Sequence, residues 1–272
     1  MVSMYELQIN DERLEDVVRT IREAGNRVAT VKENVDSERK TDGSIVTEAD
    51  REAENIIRED LKNSYAYPVL GEESGGNIDE SDTYWVVDPI DGTRNFSNYQ
   101  PLYGTSISLI EDGEPYLGVF YMPELDYIFY AVDGEGAYRN EEQIQVSSGV
   151  STDEAYYCIS GIGRTEIHSD VSQLNRWVQQ LGCAIMGESW VASGWCDIGV
   201  FGALGPWDIA TGVVLVREAG GTAKCILSDN STNWDDMMNG KVLLGDEELV
   251  NEFLEEIPAT AFNSIEEASY KW

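Results

Sequence analysis

The sequence predicts an α/β protein, with an α+β N-terminal lobe and an α/β C-terminal lobe packed as layers of helices and sheets. The order of the patterns carries this prediction: helical apolar stripes come first, alternating strand-like runs follow, and strands and helices then return. At 272 residues the chain is long enough to bury a large core. We place the two lobes at residues 1–147 and 148–272 and expect them to form one compact unit.

Helical periodicity and capping identify the first helices, and short apolar runs identify the first strands. The elements predicted before residue 90 are helices over 11–36 and 47–62 and strands over 67–73 and 83–88. Thr47 can cap the second helix, because Asp50 then stands at the third helical position, as in a capping box. A polar loop with Gly43 is expected between the two helices.

Residues 104–146 predict an antiparallel meander, because the turn sequences EDGE, MPELD and DGEG separate alternating apolar runs. The elements predicted beyond residue 150 are strands over 156–160 and 240–246 and helices over 170–181, 205–221 and 247–257. The helix over 205–221 is the best marked of these, since Pro206 stands at its start and glycines close it.

The charge balance is strongly acidic, with 51 Asp and Glu residues against 18 Lys and Arg and a formal net charge of −33. Nucleic-acid or anionic-membrane binding needs a basic surface, so neither partner is expected. Self-repulsion on this scale destabilises a compact fold in dilute buffer, but molar salt screens it to a Debye length of about 3 Å. We therefore expect a salt-adapted, halophilic protein; an ordinary acidic protein is the alternative. No segment resembles a signal peptide or a membrane span, which predicts a cytoplasmic location.

The four cysteines and the single histidine argue against zinc and thiol chemistry. The cysteines lie far apart without a CxxC pair, and only His168 could complete a zinc site. A lone histidine in a polar stretch also disfavours a Ser-His-Asp nucleophile. We expect buried, reduced thiols, and acid–base chemistry carried by carboxylates, hydroxyls or metal-bound water.

Acidic residues stand at the ends of successive predicted elements. They are Asp50, Glu72, Asp88, Asp91 and Asp208. Taken singly, each has a simpler explanation: Asp88 and Asp91 begin common turn dipeptides, and Asp208 can stabilise a helix N-terminus. Taken together, they offer the oxygen ligands that Mg²⁺ prefers. Ordinary turn and cap residues, with no metal, remain the alternative.

Three motifs resemble the inositol monophosphatase family, which also includes many archaeal fructose-1,6-bisphosphatases. In chain order they are GEESGG, WVVDPIDGTRNF and GPWDIATGVVLVREAGG. The resemblance covers the chain from about residue 40 to about residue 225. It implies a layered αβαβα sandwich, a homodimer, and Mg²⁺-dependent hydrolysis of a small polyol or sugar phosphate.

The resemblance also implies a metal site. Glu72, Asp88 and the main-chain carbonyl of Ile90 would hold one Mg²⁺. Asp88, Asp91 and Asp208 would hold a second, with Asp88 bridging the two ions. A third, weaker ion is usual near Glu72 in the family, so two to three ions are expected. Asp91 and Asp208 would also contact the substrate.

Catalytic roles follow from the same resemblance. Thr93, hydrogen-bonded to Asp50, would orient or deprotonate the attacking water, with Glu72 in the same catalytic set. The absence of a Cβ at Gly92 would let backbone N–H groups approach the phosphate, and a helix starting at Thr93 would point its positive end there. Arg94, which this mechanism does not require, could help to hold a second phosphate.

Three positions depart from the family pattern. Phe201 stands where inositol-specific members have a glutamate that contacts the ring hydroxyls, Cys183 replaces a usual serine, and Glu141 replaces a usual glycine. Inositol 1-phosphate and fructose 1,6-bisphosphate are therefore rival substrates, with a 3′-phosphoadenosine nucleotide as an alternative. A non-catalytic, regulatory relative that binds metal or phosphate is the alternative from another class. A structural acidic protein, with no need for divalent ions, is the third.

Overall fold

The computed structural model describes residues 6–32, 37–39, 45–78, 81–161, 166–174, 177–202, 204–226, 230–238 and 241–257. In chain order, the elements of the first part are α1 (Glu12–Val31), β1 (Ser37–Arg39), β2 (Ile45–Thr47), α2 (Glu48–Ser64), β3 (Val69–Gly71), β4 (Tyr84–Asp91), α3 (Thr93–Ser97), β5 (Gly104–Glu111), β6 (Glu114–Met122), β7 (Tyr127–Val132), β8 (Gly136–Arg139) and β9 (Glu142–Gln143). Those of the second part are β10 (Tyr157–Ser160), α4 (Glu166–Leu174), β11 (Val178–Gln179), α5 (Ala184–Ala192), β12 (Ile198–Gly202), α6 (Pro206–Glu218), β13 (Thr222–Cys225), α7 (Trp234–Met237), β14 (Lys241–Gly245) and α8 (Glu247–Glu256).

Helices α1 and α2 cover one face of a seven-stranded sheet with strand order β3-β4-β5-β6-β7-β8-β9. The predicted apolar stripe forms this contact, since Leu14, Val17 and Ile21 of α1 are fully buried in it. Within this seven-stranded sheet, β3 and β4 pair in parallel, and the other neighbouring strands pair antiparallel. The two predicted helices and the predicted meander are thereby confirmed. The first helix runs over residues 12–31, and residues 33–36 of that prediction lie outside the described residues.

A second, five-stranded sheet has the order β11-β10-β12-β14-β13. Helices α5 and α6 lie between the two sheets, and α4 and α8 pack on the outer face of the second one. The layers therefore alternate helix, sheet, helix, sheet and helix, which confirms the predicted sandwich. The predicted lobe boundary at residue 147 falls between the last strand of one sheet and the first strand of the other.

Helix α6 is buried on almost every side because a sheet lies on each side of it. The hydroxyl of Thr211 lies 2.6 Å from that of Ser106 and 2.6 Å from that of Ser108, so three buried hydroxyls join α6 to β5. Ser106 is also the register partner of Asp88 in β4. The docking of α6 therefore sets its first turn, with Asp208, against the end of β4.

The predicted helix over 170–181 is wrong in its second half. Helix α4 ends at Leu174, and Val178–Gln179 form a strand that pairs in parallel with β10. The prediction was wrong because apolar residues in this segment recur at helical spacing. A strand of two residues is too short to show the alternation of apolar and polar residues that is typical of strands. Strands β1 and β2, which lie in the region predicted as a polar loop before α2, pair in an antiparallel ladder. Gly43 of that prediction lies outside the described residues.

Helix α5 and strands β12 and β13 had no counterpart in the sequence prediction. Nearly every residue of α5 is buried, so the helix has no polar face and shows no amphipathic stripe. The four cysteines are free and buried, as expected. Within the described part of the chain, no helix combines the length and the apolar character needed to cross a membrane.

Candidate functional site

Strand β4 carries two acidic residues, Asp88 and Asp91. A β-bulge between them lets both side chains point to the same face of the sheet. Asp88 pairs with Ser106, but Asp91 pairs with Gly104, so one more residue separates the pair on β4 than on β5. In a regular strand, side chains at positions i and i+3 point to opposite faces. A bulge with one extra residue reverses that alternation and also tolerates Pro89. The strand predicted to end at Asp88 therefore continues to Asp91.

Three carboxylates meet at the end of β4. Asp88, Asp91 and Asp208 each place an oxygen within 4.8 Å of the others, an arrangement that could hold a metal ion. Glu72 belongs to the same edge, because β3 runs parallel to β4 and Glu72 follows it directly. The N–H of Glu72 donates to the carbonyl of Val87 at 3.1 Å. The side chain of Glu72 lines one cavity together with Asp91 and Asp208.

Asp88 is the centre of this cluster and is almost fully buried. Neither of its carboxylate oxygens has a hydrogen-bond partner among the described residues. Burial raises the pKa of Asp88 well above its usual range, and the charges of Glu72 and Asp91 raise it further. An unpaired buried carboxylate beside other acids is unfavourable without a compensating charge. The oxygen-rich donor set fits a hard divalent cation such as Mg²⁺.

The N-terminus of α5 holds Asp91 in place. The N–H groups of Ala184 and Ile185 donate to its two carboxylate oxygens at 3.0 and 2.6 Å. The thiol of Cys183 donates to Oδ2 at 2.9 Å. Burial raises the pKa of Asp91, and these hydrogen bonds oppose that rise. The thiol therefore supplies a donor at a position where serine is usual in the family that the sequence resembles.

Thr93 and Asp50 lie side by side although 43 residues separate them in the chain. The hydroxyl of Thr93 lies 3.3 Å from Asp50 Oδ1 and 3.0 Å from the carbonyl oxygen of Ile90. Asp50 is buried in the first turn of α2, where its other oxygen accepts the N–H of Thr47 at 2.7 Å. The single hydroxyl proton of Thr93 can therefore be donated either to Asp50 or to the carbonyl of Ile90, which is predicted as a metal ligand.

Gly92 connects β4 to the short helix α3 in a left-handed conformation, with φ of 87°. A Cβ here would lie 2.8 Å from the carbonyl oxygen of Leu102 and 3.1 Å from the Cβ of Cys183. Both the backbone conformation and the close approach therefore require glycine. This turn fixes Thr93 directly after the second aspartate of β4.

The carboxylates open onto a cavity of about 440 Å³. Its lining consists of Glu72, Asp91, Gly92, Thr93, Arg94, Ser160, Gly161, Gly182, Ala184, Leu204 and Asp208. Arg94 is exposed and is the cation of this lining. Phe201 does not belong to it: its side chain is fully buried in the core between the sheets, against Gly187.

Glu188 is an ionisable residue near the site that the sequence did not point to, because α5 itself was not predicted. It is fully buried, and neither carboxylate oxygen has a hydrogen-bond partner among the described residues. Burial raises the pKa of Glu188 well above the ordinary 4.5, and the charges of Asp91 and Asp208 raise it further. A Cβ at Gly212 of α6 would lie 1.8 Å from Glu188 Oε2, so the two helices meet here through a glycine.

Replacing Glu188 with methionine is expected to stabilise the metal-free protein in a pH-dependent way. The folded protein holds the Glu188 proton more tightly than the unfolded chain, so this stabilising contribution exists below pH 4.5 and is lost as the pH rises. The variant should gain about 1–3 kcal/mol near pH 8 and little near pH 4.5, by urea unfolding at constant salt. Glu255→Met, on the exposed face of α8, is the control. An equal gain at both pH values would indicate packing rather than ionisation.

The chain is similar to known proteins over most of its length. A model of the inositol monophosphatase family matches residues 10–261 of the chain. The fructose-1,6-bisphosphatase/inositol-1-monophosphatase of Thermotoga maritima is 32% identical over 257 residues, covering 90% of this chain and 98% of that protein. Nus factor SuhB of Salmonella typhimurium is also 32% identical, covering 87% and 92%. Among solved structures, a Thermotoga maritima IMPase matches with a TM-score of 0.81 and 29% identity, covering 94% of this chain and 98% of the other.

Proposed function

Because the chain belongs to the inositol monophosphatase family, we propose that it is a Mg²⁺-dependent phosphomonoesterase of small polyol or sugar phosphates. The observation that carries the metal dependence is Asp88, a buried carboxylate without a hydrogen-bond partner among the described residues, inside a cluster of acids. Oxygen ligands of this kind suit Mg²⁺ rather than a softer metal.

Five residues would hold two or three Mg²⁺ ions: Glu72, Asp88, Asp91 and Asp208 through their carboxylates and Ile90 through its carbonyl. When bound there, Mg²⁺ would neutralise the carboxylates, polarise the phosphoryl group and lower the pKa of water. The carboxylate of Asp91 is already oriented for metal binding, because the N–H groups of α5 and the thiol of Cys183 donate hydrogen bonds to it.

Thr93 and Asp50 would orient the attacking water and take its proton. Water attacks phosphorus, the bond from phosphorus to the ester oxygen breaks, and the leaving oxygen takes up a proton from solvent water to become the free alcohol. The proton lost by the water can pass to Thr93 Oγ1 as that hydroxyl passes its own to Asp50 Oδ1, 3.3 Å away. The carbonyl of Ile90, 3.0 Å from Thr93 Oγ1, is the alternative acceptor for the single Thr93 proton and keeps the hydroxyl beside the proposed ions.

The cavity lining supports a small polar substrate. Apart from Leu204, its members are acids, glycines, alanine, hydroxyls and one arginine. Arg94 would attract a second phosphate at the exposed side, which favours fructose 1,6-bisphosphate alongside inositol 1-phosphate. With Phe201 in the core, the ring contact made by glutamate in inositol-specific members has no counterpart at this position.

A regulatory role is the second candidate, and the relatives named Nus factor SuhB favour it. Such a role does not exclude catalysis, since the proposed ligands and Thr93 are all present in this chain. A homodimer, a cytoplasmic location and the division into lobes at residue 147 remain predictions of the sequence. Light scattering on a sizing column in molar KCl would measure the assembly.

The test of the proposed function is phosphate release by the purified protein in molar KCl with Mg²⁺. The substrates are inositol 1-phosphate, fructose 1,6-bisphosphate and 3′-phosphoadenosine 5′-phosphate. We expect release from one or both of the first two, abolished by a chelator and restored by Mg²⁺. No release from any substrate would overturn the enzymatic proposal, and release that persists after chelation would overturn its metal dependence.

A further inference from the structure

The loop that carries Glu72 is attached to helix α2 by two side chains that no role has yet explained. We propose that Glu54 and Arg58 are positioning residues, which hold Glu72 where it can bind a cation. The inference rests on the proposed function in one respect, that Glu72 is a metal ligand. It concerns the affinity of the site for its ions rather than the chemical step.

Glu54 binds the backbone of the loop directly. Its side chain is fully buried, and its Oε2 accepts the N–H of Glu73 at 2.8 Å while Oε1 accepts the N–H of Ser74 at 3.1 Å. Arg58 Nε donates to Oε1 at 2.7 Å. A buried carboxylate with three donors is fully paired, in contrast to Asp88. Its partners in the loop are the two residues that follow Glu72.

Arg58 fixes the other parts of the same loop. One terminal nitrogen donates to the carbonyl of Val69 at 2.9 Å, and the other donates to the carbonyl of Gly75. The backbones of Gly71 and Gly75 exchange two hydrogen bonds, of 3.0 and 3.1 Å, which close the loop. The contacts of Arg58 and Glu54 therefore lie on both sides of Glu72 in the chain.

The close approach of this loop to α2 depends on Gly71. A Cβ at this position would lie 2.6 Å from the carboxylate of Glu54 and 2.8 Å from Arg58 Nη2. The carboxylate of Glu54 and the guanidinium of Arg58 are held by their other hydrogen bonds and cannot easily move away. The strand therefore ends against the ion pair itself, with no side chain between them.

One face of helix α2 contacts two different parts of the proposed site. Asp50, Glu54 and Arg58 follow one another at intervals of four residues, which places them along the same side of a helix. Asp50 meets Thr93, and Glu54 with Arg58 meets the loop of Glu72. A rigid helix thus sets the separation between the proposed proton acceptor and a proposed metal ligand. Loss of the second contact should release Glu72 and weaken cation binding.

The test is Glu54→Gln, which keeps the size of the side chain but removes the charge that pairs with Arg58. We expect the Mg²⁺ concentration for half-maximal activity to rise by about tenfold or more, as when outer partners of metal ligands are replaced. The kcat at saturating Mg²⁺ should change by less than about threefold. Direct titration with Mn²⁺, followed by electron paramagnetic resonance, should show the same loss of affinity without substrate. Glu59→Gln, on the exposed side of α2, is the matched control and should match the wild type.

Arg58→Lys is the second variant, which retains the charge but cannot reach both carbonyls as the guanidinium does. It decides the question if Glu54→Gln does not fold, and the same loss of Mn²⁺ affinity is expected. Wild-type Mn²⁺ affinity in a folded variant would overturn the inference. So would a lower kcat and melting temperature at unchanged Mn²⁺ affinity, which would show a purely structural role. A wild-type protein that neither binds Mn²⁺ nor needs Mg²⁺ would instead refute the proposed function.

Discussion

Asp88→Asn is expected to lose phosphatase activity by on the order of a thousandfold while the protein keeps its fold. Asp88 is the central carboxylate of the proposed metal site, and an amide offers neither its charge nor two equivalent oxygens. Electrostatic stabilisation is the main contribution to phosphoryl transfer, so its loss affects the chemical step directly. Phosphate release at saturating Mg²⁺ and circular dichroism are the two measurements.

The same variant should be more stable than the wild type when Mg²⁺ is absent. Burial raises the pKa of Asp88, so its ionised form destabilises the folded state increasingly as the pH rises above the ordinary value of 3.8. A neutral side chain of the same shape removes this cost, with a gain of about 1–3 kcal/mol near pH 7. Adding Mg²⁺ should then stabilise the wild type but not the variant.

Asp82→Asn provides the control, since Asp82 is exposed just before the same strand. It should leave activity and the response to Mg²⁺ unchanged. Normal hydrolysis by Asp88→Asn would refute the proposed metal ligands. A loss of activity without any difference in the response of stability to Mg²⁺ would assign Asp88 a role other than metal binding.

The acidic residues were recognisable in the sequence because each stands where a predicted element begins or ends. Asp88 follows an unbroken apolar run, and Asp208 follows a proline that starts a helix. Their convergence follows from the layer order, since α6 lies between the sheets and is joined to β5 beside Asp88. Local patterns thus identified the candidates, and the fold brings them together.

Other parts of the site could not be predicted because long-range contacts create them. The bulge in β4 is defined only by its pairing with β5, and no local pattern distinguishes it from a strand followed by a turn. The donors to Asp91 come from Cys183, Ala184 and Ile185, more than 90 residues away, on a helix without an amphipathic stripe. The buried carboxyl of Glu188 was missed for the same reason.

The contact of Glu54 and Arg58 with the loop of Glu72 could be predicted only in part. The four-residue spacing of Asp50, Glu54 and Arg58 is visible in the sequence and predicts a shared helix face. Glu54 and Arg58 would then be interpreted as an ordinary surface ion pair, because that spacing commonly stabilises exposed helices. Only the structure shows that the Glu54 carboxylate is buried and bonded to another segment.

Dilution of salt is expected to unfold the protein. With every Lys and Arg paired, 33 negative charges remain without a partner of opposite sign. At 10 mM salt the Debye length is about 30 Å, so charges on opposite sides of the molecule repel one another, whereas at 1 M it is about 3 Å. Salt bridges such as Arg27–Glu52 strengthen on dilution, but a half-exposed pair contributes only about 0–1 kcal/mol. Repulsion should therefore exceed the gain from pairing.

Circular dichroism during dialysis from molar to 10 mM KCl measures this effect, and most of the helical signal should disappear. NaCl at equal ionic strength should restore the fold as well as KCl does, because screening is not specific for the cation. Without Mg²⁺, Asp88→Asn should unfold at a lower KCl concentration than the wild type, because it removes a buried charge that destabilises the metal-free fold. Mg²⁺ at low millimolar concentration should protect the wild type more than the variant, which separates binding at the site from general screening. An unchanged spectrum at 10 mM KCl would contradict salt adaptation and leave an ordinary acidic protein.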